Sequence, residues 1–229
     1  MGVRSADRAV ALVSGGIDSI VSLAAAVAAY DVRLALFVDY GQPALARERQ
    51  AVLGAVNHFG VPFREISLPW LGELMPEALR HSGAGSGEAG AGLGTIDAVW
   101  IPNRNGILVN CAAAFAEAYD CRYVITGFNS EEALEFPDNR VEYVSRLNRG
   151  LLLSTRNGVR VVSFTQRLSK TDIISLGMRL SAPLSVAWSC YTGGDVMCGI
   201  CASCEKLKRA IASLPPELRP VLEFAEPRG

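Results

Sequence analysis

The feature that most constrains the fold is the alternation of short apolar strands with helices along the chain. Five segments have the short apolar or alternating pattern of strands: residues 8–13, 33–40, 63–68, 123–127 and 159–164. Helical patterns lie between and after them, over residues 18–30, 44–60, 104–120, 139–155 and 169–180. Because nearly continuous apolar strands are buried on both faces, we predict an α/β fold with an open, mostly parallel sheet and helices on both faces.

The pattern changes near residue 185. The chain has 229 residues, 50% of them hydrophobic, which is enough for one large core. We predict an α/β domain over residues 1–185 and a C-terminal segment, residues 186–229, in which a cysteine cluster and a helix pack on the same unit. Residues 81–95 are glycine-rich and lack a helical or strand period, so they are interpreted as a mobile loop, either a lid or a tolerated insertion.

Charge and hydropathy argue against nucleic acid and membrane partners. Lys and Arg number 22 and Asp and Glu 23, for a net charge of −1 without a basic stripe, so no direct nucleic-acid partner is expected. The sequence has no apolar run of the roughly 18 residues that a membrane span needs, and its first ten residues lack the apolar core of a signal peptide. We expect a cytoplasmic protein with reduced cysteines.

A glycine loop, Ser14-Gly15-Gly16-Ile17-Asp18-Ser19, joins the first predicted strand to the first predicted helix. Parallel sheets bind ligands at the carboxyl ends of their strands, and a helix N-terminus there offers unpaired N–H groups to an anion. The loop has neither the lysine of a P-loop nor the G-x-G-x-x-G spacing of dinucleotide-binding folds. The plainer alternative is a simple turn, with Asp18 capping the helix.

Four of the six cysteines form a C-x7-C-x2-C-x2-C cluster: Cys190, Cys198, Cys201 and Cys204. Four thiolates so close together suit tetrahedral Zn²⁺, and a site filled by cysteine leaves no open position for water. We therefore predict a structural zinc, with an iron–sulfur cluster as the main alternative and a disulfide pair as the plainer one. Cys111 and Cys121 fall in or beside a predicted helix and are interpreted as buried small apolar residues.

The glycine loop is similar to the pyrophosphatase loop of the N-type ATP pyrophosphatases (the PP-loop superfamily). The order of further motifs makes the resemblance more specific: residues 38–42, 101–105, 125–139, 168–173 and 188–204. From about residue 8 to 210 the chain resembles the QueC family of 7-cyano-7-deazaguanine synthases. The resemblance implies a Rossmann-like fold of the adenine nucleotide alpha-hydrolase kind.

The resemblance also implies a reaction. The family uses ATP and ammonia to turn 7-carboxy-7-deazaguanine into the nitrile 7-cyano-7-deazaguanine, through an adenylated acid and an adenylated amide, on the route to queuosine. The implied class is an ATP-dependent carbon–nitrogen ligase. The implied cofactors are ATP, Mg²⁺ and one structural Zn²⁺ per subunit, and the implied assembly is a homodimer. The loop would hold the pyrophosphate leaving group, so no lysine for γ-phosphate transfer is needed.

Site roles follow from the positions that match the family motifs. The residues expected at ATP are Val13, Ser14, Gly15, Gly16, Ile17, Asp18, Ser19, Leu23, Asp39, Thr126 and Gly127. The residues expected to carry catalysis are Asp18, Ser19, Arg104 and Lys170, with Asp18 as a candidate Mg²⁺ ligand. A carboxylate can accept hydrogen bonds from the N–H groups of the deazaguanine, and an aromatic side chain can stack on its ring. The residues expected there are Arg104, Asn105, Phe128, Glu131, Glu132, Phe136 and Asp138.

Plainer roles and other functions stay open at this point. Asp39 could cap a turn, Arg104 could be an exposed helix-start arginine, and most of the acidic run could be a solvated loop. A QueC-like paralogue could stop at the amide or join the deazaguanine to another acceptor. Another adenylating tRNA-modification enzyme with the same loop, or a nucleotide-binding zinc module without turnover, are the remaining alternatives.

Overall fold

The structure is a computed structural model that describes residues 7–82 and 92–226. These residues form five strands, β1 (Arg8–Leu12), β2 (Asp31–Asp39), β3 (Phe63–Ser67), β4 (Tyr123–Thr126) and β5 (Arg160–Ser163). The α-helices are α1 (Ile17–Ala29), α2 (Leu45–Phe59), α3 (Pro69–Gly72), α4 (Glu77–Arg80), α5 (Ile96–Val99), α6 (Arg104–Ala118), α7 (Glu132–Glu135), α8 (Val141–Ser154), α9 (Lys170–Arg179) and α10 (Ala202–Ser213). Short 3₁₀ turns cover Pro137–Asn139, Leu184–Val186 and Pro216–Leu218.

The predicted strands and long helices are confirmed, with ends that differ by no more than two residues. The sequence patterns missed α3, α4, α5 and α7, because a single turn is too short to show a period. Of the predicted loop at residues 81–95, residues 83–91 lie outside the described part of the chain. Within the described part, the structure has no helix long and apolar enough to cross a membrane.

The five strands form one parallel sheet in the order β3-β2-β1-β4-β5. The first strand lies in the middle, where Val10 pairs with Leu34 of β2 on one side and Val124 of β4 on the other. The chain therefore adds β2 and β3 on one side of β1, and then crosses over to add β4 and β5 on the other side. Ligands of open α/β sheets bind at such a reversal point, outside the carboxyl ends of the strands.

Alternate residues of each strand face two separate apolar layers. Ala9 and Ala11 of β1 join the layer formed with α1, α2, α9 and α10, whereas Val10 joins the layer formed with α6 and α8. The two-residue period of the strands thus distributes the helices over both faces. Cys190, Cys201 and Cys204 belong to the first layer, so the cysteine segment and the sheet share one core.

Helix α9 begins with a capping box formed by Ser169 and Asp172. The Ser169 hydroxyl accepts a hydrogen bond from the Asp172 amide at 3.2 Å, and the Asp172 carboxylate accepts one from the Ser169 amide at 3.2 Å. These bonds satisfy two donors at the helix N-terminus. They also fix the backbone at the start of α9, where Lys170 is the first helical residue.

Two glycines with positive φ allow a test of how closely the loop between β1 and α1 packs against α2, with Gly15 in the loop and Gly60 as the control. Gly15 has φ of +83°, and a Cβ there would lie 2.6 Å from the Glu48 carbonyl oxygen on α2. Gly60 has φ of +65° at the end of α2, but a Cβ there would meet no atom within 4 Å. We expect Gly60→Ala to lower the free energy of unfolding by about 1 kcal/mol, from backbone strain alone.

Gly15→Ala should cost about 2–4 kcal/mol, because the same strain is joined by overlap with the backbone of α2. Urea denaturation of the two variants checks the difference. Equal losses would contradict the close contact between the loop and α2.

Candidate active site

A cavity of about 290 Å³ opens at the carboxyl ends of β1, β2 and β4. It lies at the point where the strand order reverses. Its wall comes from the glycine loop, the ends of β2 and β4, the start of α6, the acidic segment around α7, and the chain before the cysteine cluster. Segments far apart in sequence therefore share one concave site.

The glycine loop is held open at the N-terminus of α1. Ser19 donates to the Gly16 carbonyl oxygen at 2.9 Å, and its hydroxyl oxygen accepts a hydrogen bond from the Ser14 amide at 3.2 Å. Gly127, just after β4, packs so closely that a Cβ there would lie 2.8 Å from the Ser19 nitrogen. Asp18 and Ser19, in the first turn of α1, therefore line the cavity beside the hydroxyl of Ser14, and N–H groups of a first helical turn beside hydroxyls are an arrangement that binds phosphate oxygens.

A partly buried ion pair lies in the wall of the same cavity. Lys170 Nζ is 2.6 Å from Asp18 Oδ2, and Asn129 donates to the same oxygen at 3.0 Å. Burial by itself would lower the pKa of Lys170, but the carboxylates of Asp18, Glu132 and Glu131 raise it above its ordinary value. The lysine therefore stays charged inside the cavity.

Asp18 has a second oxygen with no partner. Asp18 Oδ1 is buried, and none of residues 7–82 and 92–226 forms a hydrogen bond with it. An ionised oxygen that is buried and unpaired is costly unless a ligand satisfies it. A divalent cation beside the phosphates is such a ligand, since Mg²⁺ binds carboxylate oxygen together with phosphate oxygens. The structure does not support the alternative of Asp18 as a helix cap, because α1 has no side-chain cap.

Arg104 lies at the first position of α6, in the wall of the cavity that α6 and the acidic segment supply. Burial by itself would lower its pKa, but Tyr40, Asp138 and Tyr191 raise it. Burial raises the pKa of Asp138, against the influence of Arg104. A charged guanidinium and a carboxyl group thus face the same space, where they can bind an acid and a donor edge of one ligand.

Aromatic side chains complete this wall. The rings of Trp100 and Phe136 are parallel within 10°, with centroids 6.0 Å apart, and both line the cavity. Phe128 lines it as well, and its ring packs edge-on against Tyr143. Flat apolar faces beside charged groups suit a planar heterocycle.

Glu48 of α2 also lines the cavity, and burial raises its pKa to about 7. Gln42 donates to Glu48 Oε2 at 2.9 Å and to the Val38 carbonyl oxygen at 3.1 Å. Gln42 in turn accepts from the Tyr40 amide at 2.9 Å. The carboxyl group is therefore held at a defined place beside the end of β2.

The four predicted metal ligands come together. The sulfur atoms of Cys190, Cys198, Cys201 and Cys204 all lie within 4.8 Å of one another. A tetrahedral site with metal–sulfur bonds of about 2.3 Å places sulfurs about 3.8 Å apart, so the cluster can close on one ion. Gly199 adopts φ of +77° between two ligands, a conformation that glycine accepts without strain.

The cysteine segment is tied directly to the anion site. The Trp188 amide donates to the Gly15 carbonyl oxygen at 2.9 Å, and the Ile17 amide donates to Ser189 Oγ at 3.5 Å. On the other side, Lys206 of α10 lies 2.6 Å from Glu135 and 3.8 Å from Glu132. A metal in the cluster would therefore stabilise two walls of the cavity as well as the C-terminal segment.

Most of the predicted site residues line the cavity. Of those expected at ATP, the wall includes Val13, Ser14, Gly16, Asp18, Ser19, Thr126 and Gly127. Of those expected at the second substrate or in catalysis, it includes Arg104, Asn105, Phe128, Glu132, Phe136, Asp138 and Lys170. Thr126 Oγ1 is buried without a partner among the described residues, so it too can accept or donate a bond to a ligand.

Five predicted site residues have other places. Gly15 and Ile17 form backbone hydrogen bonds with the chain before the cysteine cluster, and Leu23 is fully buried in the core. Asp39 accepts a hydrogen bond from the Gly41 amide at 2.9 Å, which is the turn-capping contact left open above. Glu131 accepts one from the Lys170 amide at 2.7 Å. None of the five is part of the cavity wall formed by the described residues.

Sequence reasoning missed several wall residues, among them Tyr40, Gln42, Glu48, Trp100, Asn129, Trp188 and Tyr191. Tyr40 and Gln42 follow β2 and Asn129 follows β4, so position after a strand could have identified them. Trp188 and Tyr191 fall inside the motif at residues 188–204, beside the first cysteine of the cluster. Glu48 has no such signal, because it lies within an amphipathic helix.

Comparison with known proteins gives one consistent family. Residues 8–214 match the family model described as "Queuosine biosynthesis protein QueC". A 7-cyano-7-deazaguanine synthase from Carboxydothermus hydrogenoformans is 45% identical over 210 residues, covering 89% of this chain and 98% of the relative. A 7-cyano-7-deazaguanine synthase from Methanosarcina barkeri is 39% identical over 214 residues, covering 89% and 93%.

Among solved structures, similarity is more distant. The U34-tRNA thiolase NcsA from Methanococcus maripaludis, solved with its [4Fe-4S] cluster, gives a TM-score of 0.49 at 12% identity, covering 80% of this chain and 60% of the other. A likeness of this size is too low to bear on activity or on the metal.

The cysteine cluster predicts that the chain binds one metal ion or cluster. Cys198→Ser should abolish that binding and lower the thermal midpoint, because the three remaining cysteines would be left buried around an incomplete site. Metal content by mass spectrometry and thermal unfolding check both effects. Cys111→Ser, outside the cluster, is the matched control and should keep the metal. Full metal content in Cys198→Ser would contradict the assignment.

Proposed function

The chain belongs to the QueC family of queuosine biosynthesis proteins, and from this premise we propose how its cavity works as a 7-cyano-7-deazaguanine synthase. In this proposal the cavity uses ATP and ammonia to convert 7-carboxy-7-deazaguanine into 7-cyano-7-deazaguanine. The observation that carries the proposal is the cavity itself. It joins a phosphate-binding helix N-terminus on one wall to a guanidinium, a carboxyl group and parallel aromatic rings on the other.

The chemistry explains why such a site needs an anion loop. A carboxylate reacts poorly with ammonia, because oxide would have to leave. Attack of the substrate carboxylate on the α-phosphorus of ATP releases pyrophosphate and makes AMP the leaving group. Ammonia then displaces AMP to form the amide, and a second adenylation followed by loss of AMP forms the nitrile. Each round requires the acid or amide oxygen to be aligned with the α-phosphorus.

The glycine loop would hold the β- and γ-phosphates as they become pyrophosphate. The N–H groups of α1, with Ser14 and Ser19, would bind their oxygens, and Lys170 would neutralise charge on them as it develops. Mg²⁺ bound at Asp18 would further neutralise the phosphate charge. The unpaired Asp18 Oδ1 supports this assignment.

The opposite wall would hold the deazaguanine. The ring would lie against Trp100 and Phe136, Arg104 would bind the substrate carboxylate, and Asp138 or Glu132 would accept the N–H groups of the guanine-like edge. Burial raises the pKa of Glu132, although Lys170 and Lys206 act in the opposite direction. Asp138 lies next to Arg104 and away from that lysine pair, which makes it the better placed of the two carboxylates.

Zinc is the metal that we assign to the cysteine cluster. Four cysteine sulfurs fill a tetrahedral site and leave no position for substrate, as in structural zinc sites. Its part would be to stabilise the segment that contacts the glycine loop.

A thiolating enzyme with the same loop is the less supported alternative. Such chemistry needs a catalytic cysteine or a redox-active cluster, together with a basic surface for RNA, and the net charge of the chain is −1. Burial raises the pKa of both Cys111 and Cys121, and neither is part of the cavity wall described here.

We also propose that the chain acts as a homodimer, as the family resemblance implies. Leu134 of α7 and Leu152 and Leu153 of α8 are exposed by 81%, 58% and 89%. Exposed leucines on neighbouring helices are typical of surfaces that contact another chain.

The product experiment tests the proposed reaction directly. The protein with its metal is incubated with 7-carboxy-7-deazaguanine, ammonium, Mg²⁺ and ATP, and the products are followed by mass spectrometry. We expect the nitrile, with two AMP released for each one formed, because acid and amide are each activated once. Amide as the final product would identify a paralogue that stops after one round. Absence of AMP would contradict the proposal.

Asp18→Asn tests the cation site. The amide keeps the shape but loses the charge that holds Mg²⁺, so we expect pyrophosphate release to fall at least about 100-fold at saturating ATP. The dependence on Mg²⁺ concentration should shift upward.

Asp120→Asn is the control, since Asp120 is exposed and its φ of +53° suits asparagine. Unchanged Mg²⁺ dependence in Asp18→Asn would remove Asp18 from the cation site.

A further inference from the structure

Glu48 is a carboxyl group in the cavity to which no step above gives a role. It extends from α2, at the side of the cavity where the glycine loop touches that helix. Its own backbone oxygen is the atom against which Gly15 packs. Glu48 is therefore placed beside the phosphate loop by the same contact that shapes the loop.

The surroundings of Glu48 differ from those of the other acidic groups in the wall. Gln42 is the sole hydrogen-bond donor to its carboxyl group within residues 7–82 and 92–226, and it occupies Oε2. Oε1 accepts no hydrogen bond from these residues, and Glu48 forms part of the cavity wall. Asp18, in contrast, is paired with Lys170, and Glu132 lies 3.8 Å from Lys206.

The charge state of Glu48 suits proton transfer near neutral pH. Burial is the main cause that raises its pKa to about 7, while Gln42 and Arg104 act to lower it. The charged and titratable groups that face it are Arg104 from α6 and Tyr40 from the end of β2. A base whose pKa lies near the working pH is both available and able to pass the proton on to water.

The proposed reaction requires such a base. Ammonia that has attacked the acyl adenylate carries an extra proton, which must leave before the amide is formed. In the second round the amide nitrogen must lose both of its protons to become the nitrile nitrogen.

We propose that Glu48 is the catalytic proton acceptor for the nitrogen, an inference that rests on the proposed function. In the first round an N–H proton of the tetrahedral adduct passes to Glu48 Oε1, the C–O bond to AMP breaks, and AMP leaves with its electron pair. In the second round both protons of the amide nitrogen pass to Oε1 in turn. The first leaves once the amide oxygen is adenylated and gives the neutral O-adenylated imidate. When the second leaves, its N–H electron pair forms the second C–N π bond, the C–O bond breaks, and AMP leaves with that electron pair. Each proton passes from Glu48 to water between steps.

Glu48→Gln separates this role from substrate binding. ATP–pyrophosphate exchange with the acid, in the absence of ammonia, measures adenylation alone and should stay within about 3-fold of the unmodified protein. Conversion of the amide to the nitrile should fall about 10²–10⁴-fold, the range of a lost general base. The amide is the substrate of choice because its conversion needs no ammonia, so the titration of ammonium does not enter.

The pH profile supplies a readout that a structural role would not move. Below the pKa of Glu48 the carboxyl is protonated and cannot accept a proton. In the unmodified protein the rate of amide conversion should therefore rise with pH through a midpoint near 7, and this rise should be absent in Glu48→Gln. Glu142→Gln, an exposed substitution on α8, is the matched control and should keep both the rate and the profile.

Stability checks the burial of the charge without reference to activity. A carboxyl whose pKa is raised in the folded state binds more protons there than in the unfolded chain, so its contribution to stability falls as pH rises from about 4.5 to about 7. Glu48→Gln should therefore gain thermal stability relative to the unmodified protein on going from pH 5 to pH 8.

The outcomes are distinct. Equal loss of exchange and of amide conversion in a folded Glu48→Gln would assign Glu48 to binding and overturn the inference. An unchanged rate and pH midpoint would overturn it as well. Failure of the unmodified protein to form AMP and nitrile would instead contradict the proposed function, and this is seen before any variant is made.

Discussion

The Asp18–Lys170 ion pair is the contact on which the arrangement of the site depends. It joins the start of α1 to the start of α9, and Asn129 adds the loop after β4 to the same carboxylate. Removing two charges from water is costly. Asn129 offsets part of this cost by donating to Asp18, and the charges of Glu132 and Glu131 offset another part by favouring the charged form of Lys170. The same cost makes the pair suited to phosphate binding, since its charges are already desolvated when a ligand arrives.

Close backbone contacts explain why this pair can form. Gly127 lets the end of β4 approach the N-terminus of α1, and Gly15 lets the loop pack against α2. A side chain at either position would push the loop away from the strand ends. The anion site, the ion pair and the cavity floor are therefore consequences of two positions at which there is no room for a Cβ atom.

The cysteine cluster acts on the site through the chain before it and the helix after it. Trp188 and Ser189 contact the glycine loop, and Lys206 contacts the acidic segment at α7. These contacts lie on opposite sides of the cavity. Folding of the C-terminal segment is thus coupled to the geometry of the active site. The cluster itself offers four cysteine sulfurs, which leave no coordination position for a substrate.

The sequence by itself determined the strands, the long helices, the position of the glycine loop and the set of four cysteines. These features depend on local period, on glycine at a strand–helix junction and on ligand spacing, all of which are visible in neighbouring residues. Only the tertiary structure decided that Asp18 pairs with Lys170, that Asp39 caps a turn, and that Glu48 of an amphipathic helix faces the cavity. The physical reason is that hydrogen bonding, burial and proton affinity depend on atoms that are close in space but distant along the chain.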